Sequence, residues 1–211
     1  VKCPHCLVDY HDSFAKITNS QDKDGFWEIY IDTCPSCERI ILKLRHINAF
    51  GERKDTLIRP KGIPRAPCPK IVPDDVAVDY KEACLVFDDS PKASAALSRR
   101  CLQTLLRNHG KSIKKDLADQ IQEILDSGKL PSYLAENIDG IRNIGNFAAH
   151  PLKSTASGEI AEVEPGEAEY CLDTIELLFD FYFVQPDIAK TKRAALDAKL
   201  KDLGKPAMKQ P

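Results

Sequence analysis

Two groups of residues in this chain have the types and spacing for chemistry. The first is a repeated Cys-Pro-x-Cys, Cys3-Pro4-His5-Cys6 and Cys34-Pro35-Ser36-Cys37. A Cys-x-x-Cys turn sets two thiolates along one edge of a tetrahedron, and two such turns complete the four soft ligands that zinc prefers. The proline after each first cysteine pre-sets the turn. A redox pair or a disulfide accounts for one such turn, but not for two matched ones outside a βαβ context. Cys3, Cys6, Cys34 and Cys37 are therefore expected to bind a structural Zn2+, because four protein ligands leave no position for a reacting water. His5 and His11 stand nearby as replacement ligands that four thiolates do not require.

The second group lies in Ile141-Arg142-Asn143-Ile144-Gly145-Asn146-Phe147-Ala148-Ala149-His150-Pro151. At about 100° per residue, Arg142, Asn146 and His150 trace one slanting polar stripe over two helical turns. A histidine there could move a proton to or from a ribose 2′-hydroxyl while an arginine holds the phosphate, which is metal-independent RNA cleavage. The same stripe has a purely structural reading. Asn146 and His150 would satisfy buried carbonyls, and Arg142 would pair with an acid such as Glu82 or Asp139. Small Gly145, Ala148 and Ala149 beside the stripe admit a close approach by a helix or a ligand.

The surrounding texture says what must position these groups. Residues 1–47 read as a small antiparallel β ribbon: Phe26, Trp27, Ile29, Tyr30 and Ile31 precede the second cysteine pair, and Ile40, Ile41, Leu42 and Leu44 follow it. Residues 48–73 read as a stiff connector, with Pro60, Pro64, Pro67, Pro69 and Pro73 close together. From Asp74 the apolar period becomes helical. Helices are expected from Asp74 or Asp75 to about Phe87, from Ser90-Pro91 to Gly110, from a Ser112 cap to Gly128, and from Pro131 to about His150. A last strongly apolar helix over Ala168–Tyr182 is expected to close at Pro186. Short connections favour antiparallel neighbours, so residues 74–186 are expected to form an up-and-down bundle, followed by a charged helix or tail over 187–211.

Bulk properties set the outer limits. With 211 residues, a 29% charged share and a formal charge of −2, any nucleic-acid contact needs a local patch rather than a global field. Lys43, Arg45, His46, Arg53 and Lys54, with Trp27 nearby, are one such patch, although docking to a protein surface is the stronger reading of the ribbon. No apolar run reaches the roughly 20 residues of a membrane span. The opening Val-Lys-Cys-Pro has no apolar h-region, so a cytoplasmic location is expected. Cys84, Cys101 and Cys171 fall in helical patterns, where reduced thiols serve as small apolar groups.

Several segments together resemble a known family: the CPHC…CPSC ribbon, the proline-rich link, Asp79–Ala83 ("DYKEA"), Leu97–Gln103 ("LSRRCLQ") and Ile141–Pro151 ("IRNIGNFAAHP"). They look like a bacterial domain-of-unknown-function family that also occurs at the ends of some type I restriction endonuclease subunits. It is similar to the HEPN superfamily of helical bundles, prominent in phage defence and toxin–antitoxin systems. The resemblance implies a mainly α, HEPN-like bundle carrying a zinc ribbon, and a homodimer formed through the Arg142–His150 helix. It also implies an RNA or nucleotide ligand, with Arg142 as phosphate holder, His150 as proton carrier and Asn143 or Asn146 as the amide. Where ribonuclease members of that superfamily have four to six residues between arginine and histidine, seven intervene here, and Gln103 replaces the usual glutamate after the paired arginines. The rival class is a non-catalytic adaptor or nucleotide-sensing subunit that meets a protein partner of a defence system.

Overall fold

The computed structural model describes residues 1–6, 8–61, 65, 67–149, 153 and 160–209. About half of the chain is helical, preceded by a small four-stranded antiparallel sheet. The strands run in sequence order, β1 (Ala15–Asp22), β2 (Gly25–Thr33), β3 (Ile40–Ile47) and β4 (Arg53–Arg59). β2 and β3 pair without interruption from Phe26 opposite Ile47 to Thr33 opposite Ile40, which brings the second cysteine turn to one end of the hairpin. Gly25 closes the β1–β2 turn at φ +140°, and a Cβ there would strike the Ile47 carbonyl.

β4 lies inside the stretch 48–73 that reads as connector. Its sequence, Arg-Lys-Asp-Thr-Leu-Ile-Arg, is almost wholly exposed and has no apolar face to announce it. Pairing with β3, chiefly Arg45 opposite Asp55 and Lys43 opposite Leu57, makes it a strand, and the prolines begin only at Pro60.

The helical part comprises α1 (Asp74–Val86), α2 (Pro91–Asn108), α3 (Leu117–Asp126), α4 (Ser132–Ala135), α5 (Ile138–Ala149), α6 (Pro165–Phe179) and α7 (Gln185–Asp202). α2 is the central post and packs on α1, α3, α5 and α6. Ser90 caps it, accepting from the Ala93 N–H at 3.2 Å, and Pro91 occupies its first turn. Leu102, Leu105 and Leu106 are fully buried against Ile138 and Ile141 of α5 and Leu172, Ile175 and Leu178 of α6. Each such side chain contributes roughly 2 kcal/mol by leaving water.

Four local expectations are corrected. Asp74 and Asp75 do not cap α1 through their side chains; Pro73 is the N-cap residue, and Asp75 instead accepts from the Asn108 side chain at 2.7 Å, tying α1 to the end of α2. Ser112 does not start a helix, because its hydroxyl donates to Glu123 and α3 begins five residues later. Ile113, expected inside, is 85% exposed in that loop. Pro186 does not end α6. A π-helical turn over Asp180–Val184 carries the chain into α7, with the Gln185 N–H donating to the Asp180 carbonyl. The proline thus falls at the start of α7 rather than ending the helix before it.

Arg65, in the connector, anchors that segment to α6. Its guanidinium, 12% exposed, meets Asp173, Glu176 at 2.7 Å and Glu169 at 3.9 Å. Tyr80 of α1 donates to the same Glu176 carboxylate at 2.6 Å. No helix among the described residues is long and apolar enough to cross a membrane.

Candidate functional site

The ribbon brings its four cysteines to one point. The Sγ atoms of Cys3, Cys6, Cys34 and Cys37 all lie within 4.8 Å of one another. Cys3 to Cys37 and Cys6 to Cys34 are each 3.8 Å, far beyond the roughly 2.05 Å of a disulfide. Backbone bonds close both turns. Cys3 N–H donates to the Val8 carbonyl and Cys34 N–H to the Arg39 carbonyl, both at 3.1 Å, and Glu38 N–H donates to the Cys34 carbonyl at 2.8 Å. Glu38 pays for that last bond with a left-handed φ of 56°. Burial opposes ionisation of Cys34, but the backbone N–H groups of Cys37 and Ser36 outweigh it and draw the thiol down to about 7. Four clustered thiols, of which Cys34 is the one drawn down while Cys3 and Cys37 are raised, are a donor set that could bind a metal ion. His5 is not part of it, since its ring Nε2 bonds the Ile40 carbonyl at 2.9 Å.

Asp32 ties the segment that follows the first cysteine turn to the end of β2, just before the second. Buried at the end of β2, it accepts from Tyr10 Oη at 3.0 Å, Ser13 N–H at 3.1 Å, Ser13 Oγ at 3.3 Å and Thr33 N–H at 2.8 Å. Burial resists its charge, yet the Ser13 and Thr33 amides hold the carboxyl below its ordinary value. An acid two residues before Cys34, directly after the apolar run Ile29-Tyr30-Ile31, was the signal available in the sequence.

The basic patch of the ribbon is largely engaged internally. Arg45 grips Asp55 with Nε at 2.6 Å and Nη2 at 2.9 Å, and Lys43 reaches the same carboxylate at 3.2 Å. These cations draw Asp55 down to about 2, Arg45 contributing most. His46 stacks on Trp27 at 4.2 Å and bonds the Asp24 carbonyl. Three of the five proposed nucleic-acid contacts therefore have partners inside the sheet.

On α5 the structure divides the polar stripe. Arg142 donates to Asp139 through Nε at 2.6 Å and Nη2 at 3.0 Å, and Asn143 donates to the same carboxylate at 2.9 Å. The Arg142 guanidinium holds the Asp139 carboxyl below its ordinary value. Asn146 meets a different arginine: its Oδ1 accepts from Arg99 Nε of α2 at 3.2 Å. His150 lies outside the described residues. The stripe thus joins Asn146 to Arg99 rather than to Arg142.

The two glycines of α5 mark where neighbouring side chains press on it. A Cβ at Gly140 would meet Tyr170 Oη at 2.7 Å, and one at Gly145 would meet Arg99 Cβ at 2.6 Å. The sequence reading left Arg99 inside the Leu97–Gln103 segment without a role. Its only clue there was a paired arginine with no acid one helical turn away on its own helix.

The buried thiols of the bundle are inert by comparison. Burial raises Cys84 to about 11 and Cys171 to about 12, and raises Cys101 further still.

No curated protein and no solved structure matches the chain. A protein family does, over residues 81–205, a span that starts within α1 and takes in both Arg99 and the α5 stripe. The chain belongs to that family, described as Domain of unknown function (DUF4145).

Proposed function

We propose that this protein is an HEPN-like, RNA- or nucleotide-directed protein of a defence or toxin system, acting as a metal-independent endoribonuclease from the α2–α5 face. The observation that carries this reading is the meeting of Arg99 and Asn146, the latter four residues before His150 in the sequence. An arginine and an amide in that place suit a phosphate, and the histidine suits proton transfer at the adjoining ribose. A homodimer formed through α5 belongs to the same reading, as does the kinship with restriction-subunit domains.

The metal in this reading is zinc, in a structural role. A tetrahedral Zn–S4 shell with bonds near 2.3 Å has sulfur–sulfur edges of roughly 3.8 Å. That is the spacing of Cys3 to Cys37 and of Cys6 to Cys34. Bound there, zinc would cross-link the two turns and supply no reactive position.

A second reading has its own support. Arg142 is held by both oxygens of Asp139, as a structural arginine would be, which favours a non-catalytic adaptor or nucleotide-sensing module. The test compares RNA degradation and growth arrest by the wild type with His150→Ala and Arg142→Ala, with helicity as the fold control. Loss of about 100-fold or more in cleavage rate on His150→Ala, fold retained, supports the nuclease. Wild-type protein that cleaves no RNA but retains a nucleotide or a protein partner supports the adaptor.

A further inference from the structure

Three arginines of α2 and α5 differ in what they hold. Arg100 is bound to Asp79 and reaches Glu82 at 3.5 Å. Arg142 is bound to Asp139. Arg99 has no carboxylate partner among the described residues, and its one side-chain hydrogen bond runs from Nε to the neutral Asn146 amide oxygen.

α5 is shaped around that unclaimed arginine. Gly145 is buried, and a Cβ there would lie 2.6 Å from Arg99 Cβ and 2.7 Å from Cδ, so any side chain would push the arginine stem off the helix. The next residue, Asn146, supplies the acceptor for Nε. One residue thus seats the stem and its neighbour fixes the plane of the guanidinium. Nη1 and Nη2 keep their N–H groups unpaired among the described residues. A half-buried guanidinium with one neutral partner is short of acceptors, and two oxygens of an oxyanion fit its fork.

We propose that Arg99, seated by Gly145 and oriented by Asn146, is the phosphate-binding arginine of this bundle, and that Arg142 is a structural residue locked to Asp139. The ligand chemistry is a phosphate ester; the choice of phosphate over carboxylate rests on the RNA- or nucleotide-directed reading above. Lysine at 99 would keep the charge but lose both the planar fork and the Nε bond to Asn146.

The test uses the full chain with its metal and follows the arginine Nε–Hε resonances by NMR. Three probes are titrated: inorganic phosphate, a nucleoside 5′-monophosphate, and a short single-stranded RNA with 2′-O-methyl groups that block cleavage. A saturable shift at Arg99 is expected, with affinity reduced about tenfold or more in Arg99→Ala and Arg99→Lys. Gly145→Ala should act like Arg99→Ala, although it removes no polar group. Arg107→Ala, an exposed arginine in the last turn of α2, should change nothing. Unfolding midpoints identify any variant that fails to fold, and Arg99→Lys, which keeps the stem packed on Gly145, then decides. Tighter binding of RNA than of the monophosphate assigns the site to a polynucleotide backbone, and the reverse order assigns it to a free nucleotide. Undiminished binding in Arg99→Lys and Arg99→Ala, or no saturable response to any probe, overturns the proposal. RNA bound through Arg99 but never cleaved, in its unmodified form, overturns only the nuclease reading. Cleavage at the wild-type rate by Arg99→Ala overturns only the role of Arg99.

Discussion

The ribbon and the bundle reach stability by different routes within one chain. Among the described residues of the ribbon, Cys3, Cys34 and Ile41 form the buried apolar cluster, and β1 is exposed along its whole length. Two of those three residues belong to the cysteine cluster itself. The bundle instead encloses a continuous apolar interior built from α1, α2, α3, α5 and α6. A module of some sixty residues with so little buried carbon is one that the proposed metal cross-link would stabilise, whereas the bundle has a core of its own. The difference also separates the roles of polar groups. In the ribbon Asp32 and Asp55 hold the scaffold; in the bundle, Arg99 is held by the scaffold and left open.

The contrast can be broken most severely by removing the proposed metal. Zinc binding contributes on the order of 10 kcal/mol in small thiolate modules. Chelation, or Cys34→Ser, should unfold the ribbon while the helices remain. Trp27, the one tryptophan of the chain, sits in β2 and reports the ribbon alone, whereas far-UV ellipticity reports mainly the bundle. A single transition seen equally by both signals would show that the two regions fold as one.

The converse experiment is smaller in energy. Leu105→Ala removes a fully buried side chain from the central helix and should cost about 3 kcal/mol. The helical denaturation midpoint should fall, and the Trp27 signal of the metal-loaded ribbon should not follow it.

The smallest effect sharpens the ribbon side. Glu38 holds a left-handed backbone in the second cysteine turn and makes no ion pair among the described residues. Glu38→Gly relieves the Cβ strain, partly offset by the greater freedom of the unfolded chain, for a net gain of about 0.5–1 kcal/mol. The gain should appear in the Trp27 transition and leave the helical transition unmoved.

What the sequence disclosed follows from the range of the forces involved. The cysteine turns and the Ser90-Pro91 helix start are local signals, written within four residues of one another, and both were legible. β4 was hidden because an exposed edge strand takes its identity from the strand beside it. Ser112 looks like a cap until Glu123, eleven residues on, takes its hydroxyl. The α5 stripe was visible as a pattern, and so was Asp139 as a partner for Arg142, but the Arg99 partner of Asn146 was not. Arg142 has Asp139 one turn before it on its own helix, but Arg99 and Arg100 are alike in one dimension, and only the packing of α2 between α1 and α5 decides which of the two is left without an acid.

The π turn beyond α6 has a mechanical consequence. Because the chain does not stop at Pro186, Pro165 to Asp202 form one nearly unbroken rod, roughly 55 Å long at 1.5 Å per residue. Its first half is clamped in the core, and its second half, α7, has no buried residue, only its own C-terminal segment folded back through Arg193 and Asp197. Such a beam is a cantilever. A load applied near Leu203 is delivered with a long arm to the root, where Asp173 and Glu176 hold Arg65 and Tyr80. The π turn lies between the clamped root and the free arm.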